Sequence, residues 1–300
     1  MIIASLVDFL ESANRLSQLL GVSLLLIEKR IFPDSEILVK VKNPERLKNK
    51  NVILFHKMYP DQNTRIVELI QILDVLQDYD ISKIFLVIPY LPYARQDKRF
   101  LEGECISLKA LLSVIAEFNV EKLLTIDIHN EESLKRYAKF EIRNISALES
   151  IAKHVAENQF AEQDFVIVSP DIGGLERVKR VAKSLGLSYA FIEKERDRVT
   201  GEVKFREISP GKISDNVLVL DDIIATGGTI VGAGFVLKKA GVKRMIVGAT
   251  HLQLLKDADK RIISTGYESI VGTNTIDSPY SFISIEPLLS KAILEEGKLS

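Results

Sequence analysis

The chain has 300 residues, of which 46% are apolar and 27% charged, values typical of a globular protein with two domains or one large domain. Its 40 lysines and arginines face 41 aspartates and glutamates, and the net charge of −1 argues against a broadly basic protein that binds nucleic acid. The single cysteine, Cys105, excludes an intrachain disulfide.

The N-terminal segment does not have the plan of a signal peptide, because Asp8 interrupts it and no basic residue precedes its apolar stretch. The longest uncharged run, residues 223–237, is too short to span a membrane. We therefore expect a soluble, cytoplasmic protein with no membrane partner and no nucleic-acid partner.

Six short runs of valine, isoleucine, leucine and phenylalanine predict β-strands along the chain. They are nearly continuous rather than alternating, which is typical of strands buried on both faces of a mostly parallel sheet. Helical patterns lie between them, and Gly186 is placed to end the helix predicted over residues 175–185. The alternation predicts an α/β fold with two open sheets flanked by helices. The predicted strands are residues 52–55, 84–88, 123–126, 165–168, 217–220 and 245–247.

The best candidate for a domain boundary lies near residues 140–146, where Ser146 and Glu149 form a possible capping box for a new helix. This predicts an N-terminal domain over residues 1–144 and a C-terminal domain over residues 145–286. Residues 287–300 form an amphipathic segment that predicts a final helix. The sequence does not indicate which domain this helix covers.

The most specific motif is VLVLDDIIATGGT, residues 217–229. A buried strand leads into two adjacent carboxylates, Asp221 and Asp222, and then into a glycine turn that opens a helix. Ligands bind at the carboxyl ends of strands in such sheets, and main-chain N–H groups at a helix start favour a phosphate. The carboxylates suit sugar hydroxyls or a bridging Mg²⁺. The motif therefore predicts a site for a phosphorylated sugar.

This motif resembles the phosphoribosyl-diphosphate (PRPP) binding motif of the type I phosphoribosyltransferase fold. Five further segments narrow the resemblance to the ribose-phosphate diphosphokinase family, also called PRPP synthases. The resemblance implies two tandem phosphoribosyltransferase-like domains, each an open and mostly parallel sheet flanked by helices. It also implies that ribose 5-phosphate is bound by Arg196, Asp221, Asp222, Ala225, Thr226, Gly227, Gly228 and Thr229. Many family members carry an acid where Ala225 stands, but the phosphate cradle is main chain, which alanine preserves.

Two segments resemble the ATP-binding segments of the family. The first is residues 32–36, which in isolation is typical of a solvated loop. The second is residues 89–98, which in isolation is typical of a proline-rich surface turn. The first binds ATP across a subunit interface in the family, which implies at least a dimer. Ser35 replaces the usual glycine there, which matters if the position needs a positive φ. The resemblance assigns ATP binding to Phe32, Asp34, Ser35, Glu36, Arg95 and Gln96.

Two further strand ends carry candidate metal and diphosphate ligands. Period-two alternation places Asp127 and His129 on the same side of the chain. The residues alone favour a phosphate contact for His129, because Mg²⁺ prefers oxygen ligands. The family resemblance instead implies Mg²⁺ binding by His129 and Asp171, and diphosphate binding by Asp171, Gly173 and Gly174. His56, His154 and His251 match no motif, and we expect ordinary structural roles for them.

The last segment is a mixed charge run, residues 193–197, which alone is typical of a solvated hairpin or loop. In the family a flexible catalytic loop carries a K-x-R pair, so the resemblance assigns catalysis to Lys194 and Arg196. Positive groups of this kind stabilise the negative charge that develops in phosphoryl transfer.

Together these segments predict a Mg²⁺-dependent ribose-phosphate diphosphokinase that uses ATP and ribose 5-phosphate. Two alternatives remain open. A phosphoribosyltransferase that consumes PRPP would share residues 217–229 but would not need Arg95, Gln96, His129 or the K-x-R pair. A non-catalytic regulatory homologue could keep the fold while losing catalytic residues, although the matched residues are all present here.

Overall fold

A computed structural model describes residues 1–161, 163–196, 203–209 and 213–297. The chain divides into two compact units. The first comprises Met1–Ile145 together with the C-terminal segment from Ile285, and the second comprises Ser146–Ser284. The expected α/β architecture, with mostly parallel sheets flanked by helices, is confirmed in both units.

The first unit is built on a sheet whose described strands follow the order β3-β2-β1-β4-β5-β6-β7. Only the β2–β3 pair is antiparallel among the described strands of this sheet. The elements are β1 (Ile2–Leu6), α1 (Leu10–Leu20), β2 (Ser23–Ile31), β3 (Ile37–Val41), β4 (Asn51–Phe55), α2 (Gln62–Gln77), β5 (Lys83–Val87), α3 (Ser107–Ile115), β6 (Val120–Ile126), α4 (Glu131–Tyr137) and β7 (Glu141–Ile145).

The second unit repeats this plan, with its described strands in the order β10-β9-β8-β11-β12-β13-β14. Here β9–β10 is the antiparallel pair within the described part of the sheet. The elements are α5 (Leu148–Asn158), β8 (Val166–Ser169), α6 (Leu175–Leu185), β9 (Ser188–Arg196), β10 (Val203–Ser209), β11 (Asn216–Ile224), α7 (Gly228–Lys239), β12 (Arg244–Leu252), α8 (Ala258–Ser264), β13 (Ser269–Thr273) and β14 (Ser281–Ile283).

The sheet of the second unit is buried on both faces, which explains its continuous apolar strands. Val217 and Val219 of β11 pack in one core with Ile230 and Leu237 of α7. Leu218, the residue between them, packs in the opposite core with apolar side chains of α5 and α6. Parallel strands covered by helices on both faces have no solvent side for polar residues, so the central positions of these strands are apolar.

Gly186 ends α6 as expected, in the left-handed conformation at φ 67°. At the predicted start of the next domain, α5 begins at Leu148 with Ala147 at its N-cap position, and the Ser146 hydroxyl accepts a hydrogen bond from the Leu148 amide at 3.4 Å.

The final helix, α9 (Glu286–Gly297), belongs to the first unit and packs against α1. Arg143 of β7 donates a hydrogen bond to the carbonyl oxygen of Ala292 at 3.0 Å and pairs with the Glu295 carboxylate. Among the helices that the model describes, none is both long and apolar enough to cross a lipid bilayer.

A buried cluster of charges lies beside the carboxyl ends of β1 and β4. The Lys29 ammonium lies 2.6 Å from Asp8 and 2.9 Å from Glu68. The Arg65 guanidinium lies 3.0 Å from Asp8 and 2.9 Å from Glu68. Glu68 is completely buried, so these two cations offset the cost of removing its carboxylate from water.

His56 is completely buried against this cluster and is held as a neutral imidazole. Its Nε2 lies 3.0 Å from the carbonyl oxygen of Arg65 and must carry the proton, because a carbonyl can only accept. Its Nδ1 is buried with no hydrogen-bond partner among the described residues, and the edge of Phe9 packs against the ring. Burial lowers the pKa of His56 to about 4.

We expect His56 to make the stability of the protein depend on pH. Because its pKa in the folded state lies below the unfolded value, its contribution is complete above about pH 6.5 and is lost as the pH falls towards 4. The loss is about 3 kcal/mol at most. His56→Gln keeps a donor for the Arg65 carbonyl and should flatten this dependence in denaturant unfolding between pH 4 and 7.

His154→Gln is the matched control, because His154 lies on α5 in the other unit, stacked on Phe282. This variant should retain the wild-type pH dependence. An unchanged slope in His56→Gln would contradict the assignment.

Candidate active site

Asp221 and Asp222 lie within β11, which continues to Ile224 beyond the predicted end of the strand. Asp222 is buried, with 2% of its surface exposed, whereas Asp221 is half-buried. The Asp221 carboxylate accepts a hydrogen bond from the Asp222 amide at 2.9 Å.

Arg177 of α6 is the counterion of both carboxylates. Its Nη2 lies 2.8 Å from Asp222 Oδ1 and 3.6 Å from Asp221 Oδ1. Burial and the neighbouring Asp222 carboxylate raise the pKa of Asp221 well above its ordinary value, Arg177 opposes that rise, and Asp171 adds to it. Asp221 and Asp222 thus share one guanidinium as their counterion, which offsets only part of their negative charge. Carboxylates of this kind can accept hydrogen bonds from sugar hydroxyls.

Hydrogen bonds from α8 and from the segment before it hold the turn after β11 in place. The guanidinium of Arg261 donates a hydrogen bond to the carbonyl oxygen of Thr226 at 2.6 Å. The amide of Leu255 donates to the carbonyl of Ala225 at 2.9 Å. With these carbonyls held on the protein side, the first amides of α7 point out of the helix N-terminus, where an anion can bind.

Gly227 is needed at the centre of this turn for two reasons. Its φ is 73°, in the left-handed region that side chains disfavour. A Cβ at this position would also lie 3.1 Å from the Cβ of Ala258 and 3.2 Å from Cδ1 of Ile262. At Gly228, by contrast, a Cβ would meet nothing within 4 Å.

A second turn follows β8, the strand next to β11. The amide of Gly174 donates to the Asp171 carboxylate at 3.2 Å, and the Ser169 hydroxyl donates to the Asp171 carbonyl at 2.6 Å. A Cβ on Gly174 would lie 2.5 Å from the Ser169 hydroxyl oxygen, so the fold of the turn requires glycine there. Because β8 and β11 are parallel neighbours, both turns lie at one edge of the sheet.

The structure places the predicted catalytic pair in a strand of an antiparallel pair, which is one of the two forms that the charge run alone predicts, rather than in the loop that the resemblance implies. Lys194 and Arg196 belong to β9, where their backbones pair with Phe205 and Val203 of β10. The segment is extended because it forms a ladder of hydrogen bonds with the following strand. Residues 197–202, which include Asp197 of the predicted loop, lie outside the described part of the chain.

In the first unit, the segment from Phe32 to Glu36 forms the turn between β2 and β3. The Phe32 amide donates to the Glu36 carbonyl at 2.8 Å, and the Glu36 amide donates to the Asp34 carboxylate at 3.1 Å. Ser35 adopts φ 71°, so this position has the positive φ for which glycine is suited, and serine accepts the strain. The guanidinium of Arg30 lies 4.7 Å from the centre of the Phe32 ring.

Arg95, Gln96 and His129 are exposed on two loops at the carboxyl ends of β5 and β6. These are neighbouring parallel strands, so the loops lie at one edge of the sheet. The expected alternation at His129 is wrong, because β6 ends at Ile126 and Asp127 adopts the left-handed conformation at φ 40°. Asp127 is buried at 3% exposure, whereas His129 is exposed.

The structure does not bring the Phe32 segment next to Arg95 within one chain. β2 and β5 are separated by β1 and β4 in the sheet. At the usual spacing of neighbouring strands, their ends are about 14 Å apart. The histidines that match no motif are structural as expected, and His251 is buried with Nδ1 2.9 Å from the Thr275 hydroxyl.

Comparison with known proteins confirms the resemblance. The model for the N-terminal domain of ribose phosphate pyrophosphokinase matches residues 1–118, and the phosphoribosyl transferase domain model matches residues 139–280. A ribose-phosphate pyrophosphokinase of Sulfurisphaera tokodaii is 37% identical, with 93% of this chain and 96% of the relative covered. The chain belongs to the ribose-phosphate pyrophosphokinase family.

Further comparisons agree over the full length of the chain. A ribose-phosphate pyrophosphokinase of Methanopyrus kandleri is 32% identical, with 98% of each chain covered. The crystal structure of phosphoribosylpyrophosphate synthetase from Mycobacterium smegmatis superposes with a TM-score of 0.84 at 25% identity, with 100% of this chain and 99% of that chain covered. Pyrophosphokinase is another word for diphosphokinase, so the expected family is the observed one.

Sequence reasoning missed two arginines of this pyrophosphokinase site. Arg177 and Arg261 lie in helices with mixed charges. A basic residue in such a sequence usually belongs to the solvated face of its helix. The available signal for Arg177 was its position three residues after Gly174, on the first turn of a helix that follows a predicted diphosphate segment.

We expect Gly227→Ala to destabilise the protein by about 2 kcal/mol. Alanine is strained in the left-handed backbone conformation, and its Cβ would also contact Ala258 and Ile262 of α8 too closely. Gly228→Ala is the matched control and should change the free energy of unfolding by less than about 0.5 kcal/mol. Denaturant unfolding of both variants measures the difference. Equal stabilities would contradict the packing described here.

Proposed function

We propose that this member of the ribose-phosphate pyrophosphokinase family transfers the diphosphoryl group of ATP to the 1-hydroxyl of ribose 5-phosphate. The products are PRPP and AMP, and PRPP feeds nucleotide biosynthesis. The observation that carries the proposal is the pair of turns after β8 and β11, which places two anion-binding segments and the Asp221–Asp222 acids at one sheet edge. Relatives bearing the family name match nearly the whole chain.

The sugar site is formed by the second unit. The turn from Ala225 to Thr229 binds the 5-phosphate through its main-chain amides, and Asp221 and Asp222 accept hydrogen bonds from the ribose hydroxyls. The turn from Asp171 to Gly174 binds the diphosphate being transferred. These roles follow from the resemblance and are supported by the turn geometry of the described residues.

The transfer is an in-line displacement. The O1 oxygen of ribose 5-phosphate forms a bond to the β-phosphorus of ATP and its hydroxyl proton is released to water, while the bond from that phosphorus to the α,β-bridging oxygen breaks and AMP leaves. Lys194 and Arg196 stabilise the negative charge that develops on the phosphoryl oxygens, and Arg196 also contacts ribose 5-phosphate. Positioning and charge neutralisation account for most of the rate enhancement.

A Mg²⁺ ion fits the donor chemistry of Asp171, because carboxylate oxygen is its preferred protein ligand. Within the described residues, no group of three or more histidine, cysteine, aspartate or glutamate side chains is placed to hold a metal alone. Asp171 in the second unit and His129 in the first would each hold Mg²⁺, which would neutralise phosphate charge when bound.

The ATP site uses Arg95 and Gln96 together with Phe32, Asp34, Ser35 and Glu36 of a second copy of the chain. The two strands that separate β2 from β5 support this assignment, because one chain does not place both segments against one adenine. The protein therefore self-associates at least as a dimer, and it acts in the cytoplasm.

The decisive experiment measures AMP and PRPP formation from ATP, ribose 5-phosphate and Mg²⁺. We expect AMP only when the sugar is present, and Lys194→Ala should lower kcat by about a hundredfold or more through loss of a charge at the transition state. Lys179→Ala is the matched control, since Lys179 is an exposed lysine paired only with Glu176 among the contacts described for its helix.

The outcome separates the alternatives. PRPP consumption with a free base, without AMP formation from ATP, would show a phosphoribosyltransferase instead. Binding of ribose 5-phosphate without any turnover would show a regulatory homologue.

A further inference from the structure

We propose that Asp97 and Asn130 form a positioning pair that fixes the Arg95–Gln96 loop against the His129 loop, so that the ATP-facing side chains of the first unit act as one surface. This inference rests on the proposed function, because it concerns how ATP is held. Neither residue belongs to the set that the family resemblance assigns to ATP.

Asp97 is a buried residue within an exposed stretch, residues 95–100, of the loop after β5. Only 6% of its surface is exposed, whereas its neighbours Gln96 and Lys98 are exposed. Its Oδ2 accepts a hydrogen bond from Asn130 Nδ2 at 2.7 Å and another from the Ser133 hydroxyl at 2.7 Å. Both are short bonds to a carboxylate, the class that contributes more than a neutral pair.

The orientation of the Asn130 side-chain amide is fixed because this residue also caps α4. Its Oδ1 accepts hydrogen bonds from the amides of Glu132 and Ser133, at 3.1 and 3.3 Å, and so caps the N-terminus of α4. Backbone amides can only donate, so the side-chain oxygen must face the helix and the NH₂ group must face Asp97. One asparagine thereby joins α4 to the loop that carries Gln96.

The loops on both sides of this pair are themselves tied down. The Ile128 amide donates to Asn144 Oδ1 at 3.0 Å, which anchors the segment before His129 to β7. The Ser107 hydroxyl donates to Gln96 Oε1 at 2.7 Å, which anchors Gln96 to the start of α3. Asp97 and Asn130 add the cross-link between these two anchored loops.

The charge of Asp97 agrees with this role. Burial raises the pKa of Asp97, but the hydrogen bonds from Ser133 and Asn130 outweigh it and hold the pKa below its ordinary value. The carboxylate is therefore ionised at neutral pH and accepts both bonds. Groups fixed before ATP binds need not be ordered by it, which favours affinity.

The test is Asn130→Asp, which keeps an oxygen for the helix cap but replaces the donor with a second carboxylate facing Asp97. We expect KM for ATP to rise about tenfold or more, the size of a lost hydrogen bond to a charged group. KM for ribose 5-phosphate should stay within about twofold, because its segments lie in the other unit. A general loss of structure would raise both.

The reciprocal exchange provides the rescue. In the double variant Asp97→Asn with Asn130→Asp, the donor and the acceptor change places and the link can form again. We expect KM for ATP to return to within about threefold of the wild type. Asn119→Asp is the matched control, since Asn119 is exposed in the turn before β6, at the opposite edge of the sheet from these loops, and KM for ATP should not change.

Ser133→Ala gives a second test should Asn130→Asp fail to fold. It removes one donor to Asp97 and leaves the cap, and we expect KM for ATP to rise about threefold. An unchanged KM for ATP in both variants, a parallel rise in both KM values, or failure of the reciprocal exchange would overturn the positioning role.

Failure of the proposed function would be seen separately. If the wild type forms no AMP, the proposed function is wrong, and calorimetric titration with ATP then decides the positioning role from the affinities of wild type and Asn130→Asp. A wild type that neither turns over nor binds ATP overturns both.

Discussion

Asp222 is a buried carboxylate, and the site of the second unit is arranged around the guanidinium that neutralises it. Arg177 comes from α6, which follows the turn at residues 171–174, whereas Asp222 comes from β11, which precedes the turn at residues 225–229. The ion pair therefore ties the two turns that we propose to bind ligand to one another through their supporting elements. A buried charge without this partner would be costly, so the two turns are constrained to keep their relative position.

The two units share a strand order but use it differently. In the second unit, the strands where the order reverses, β8 and β11, lead into the turns that we propose to bind phosphate and diphosphate, which is where ligands bind in open α/β sheets. In the first unit, the corresponding strands β1 and β4 lead into the cluster of Asp8, Lys29, Arg65 and Glu68, whose charges satisfy one another. Its candidate ATP-binding loops instead follow β2, β5 and β6. One architecture thus supports two different sites.

The sequence predicts six of the described strands, β4, β5, β6, β8, β11 and β12, and the glycine turns, because their signals are local, but it leaves the other described strands unpredicted. A strand buried on both faces must be continuously apolar, and a phosphate turn needs glycine at the positions that the structure confirms, such as Gly227 and Gly174. Long-range partners carry no such signal. Asp97 and Asn130 are 33 residues apart, and Arg177 and Asp222 are 45 apart, so only the folded chain shows that they meet. The conformation of Asp127 was missed because alternation assumes an extended strand.

The return of α9 to the first unit has a consequence for synthesis on the ribosome. The first unit contains the beginning of the chain, but α1 and Arg143 find partners in α9 only after the whole second unit has been made. Until then the face of α1 that α9 covers is exposed, a state in which partly folded chains are prone to associate. Maturation of the first unit therefore depends on the synthesis of α9 and not only on that of residues 1–145.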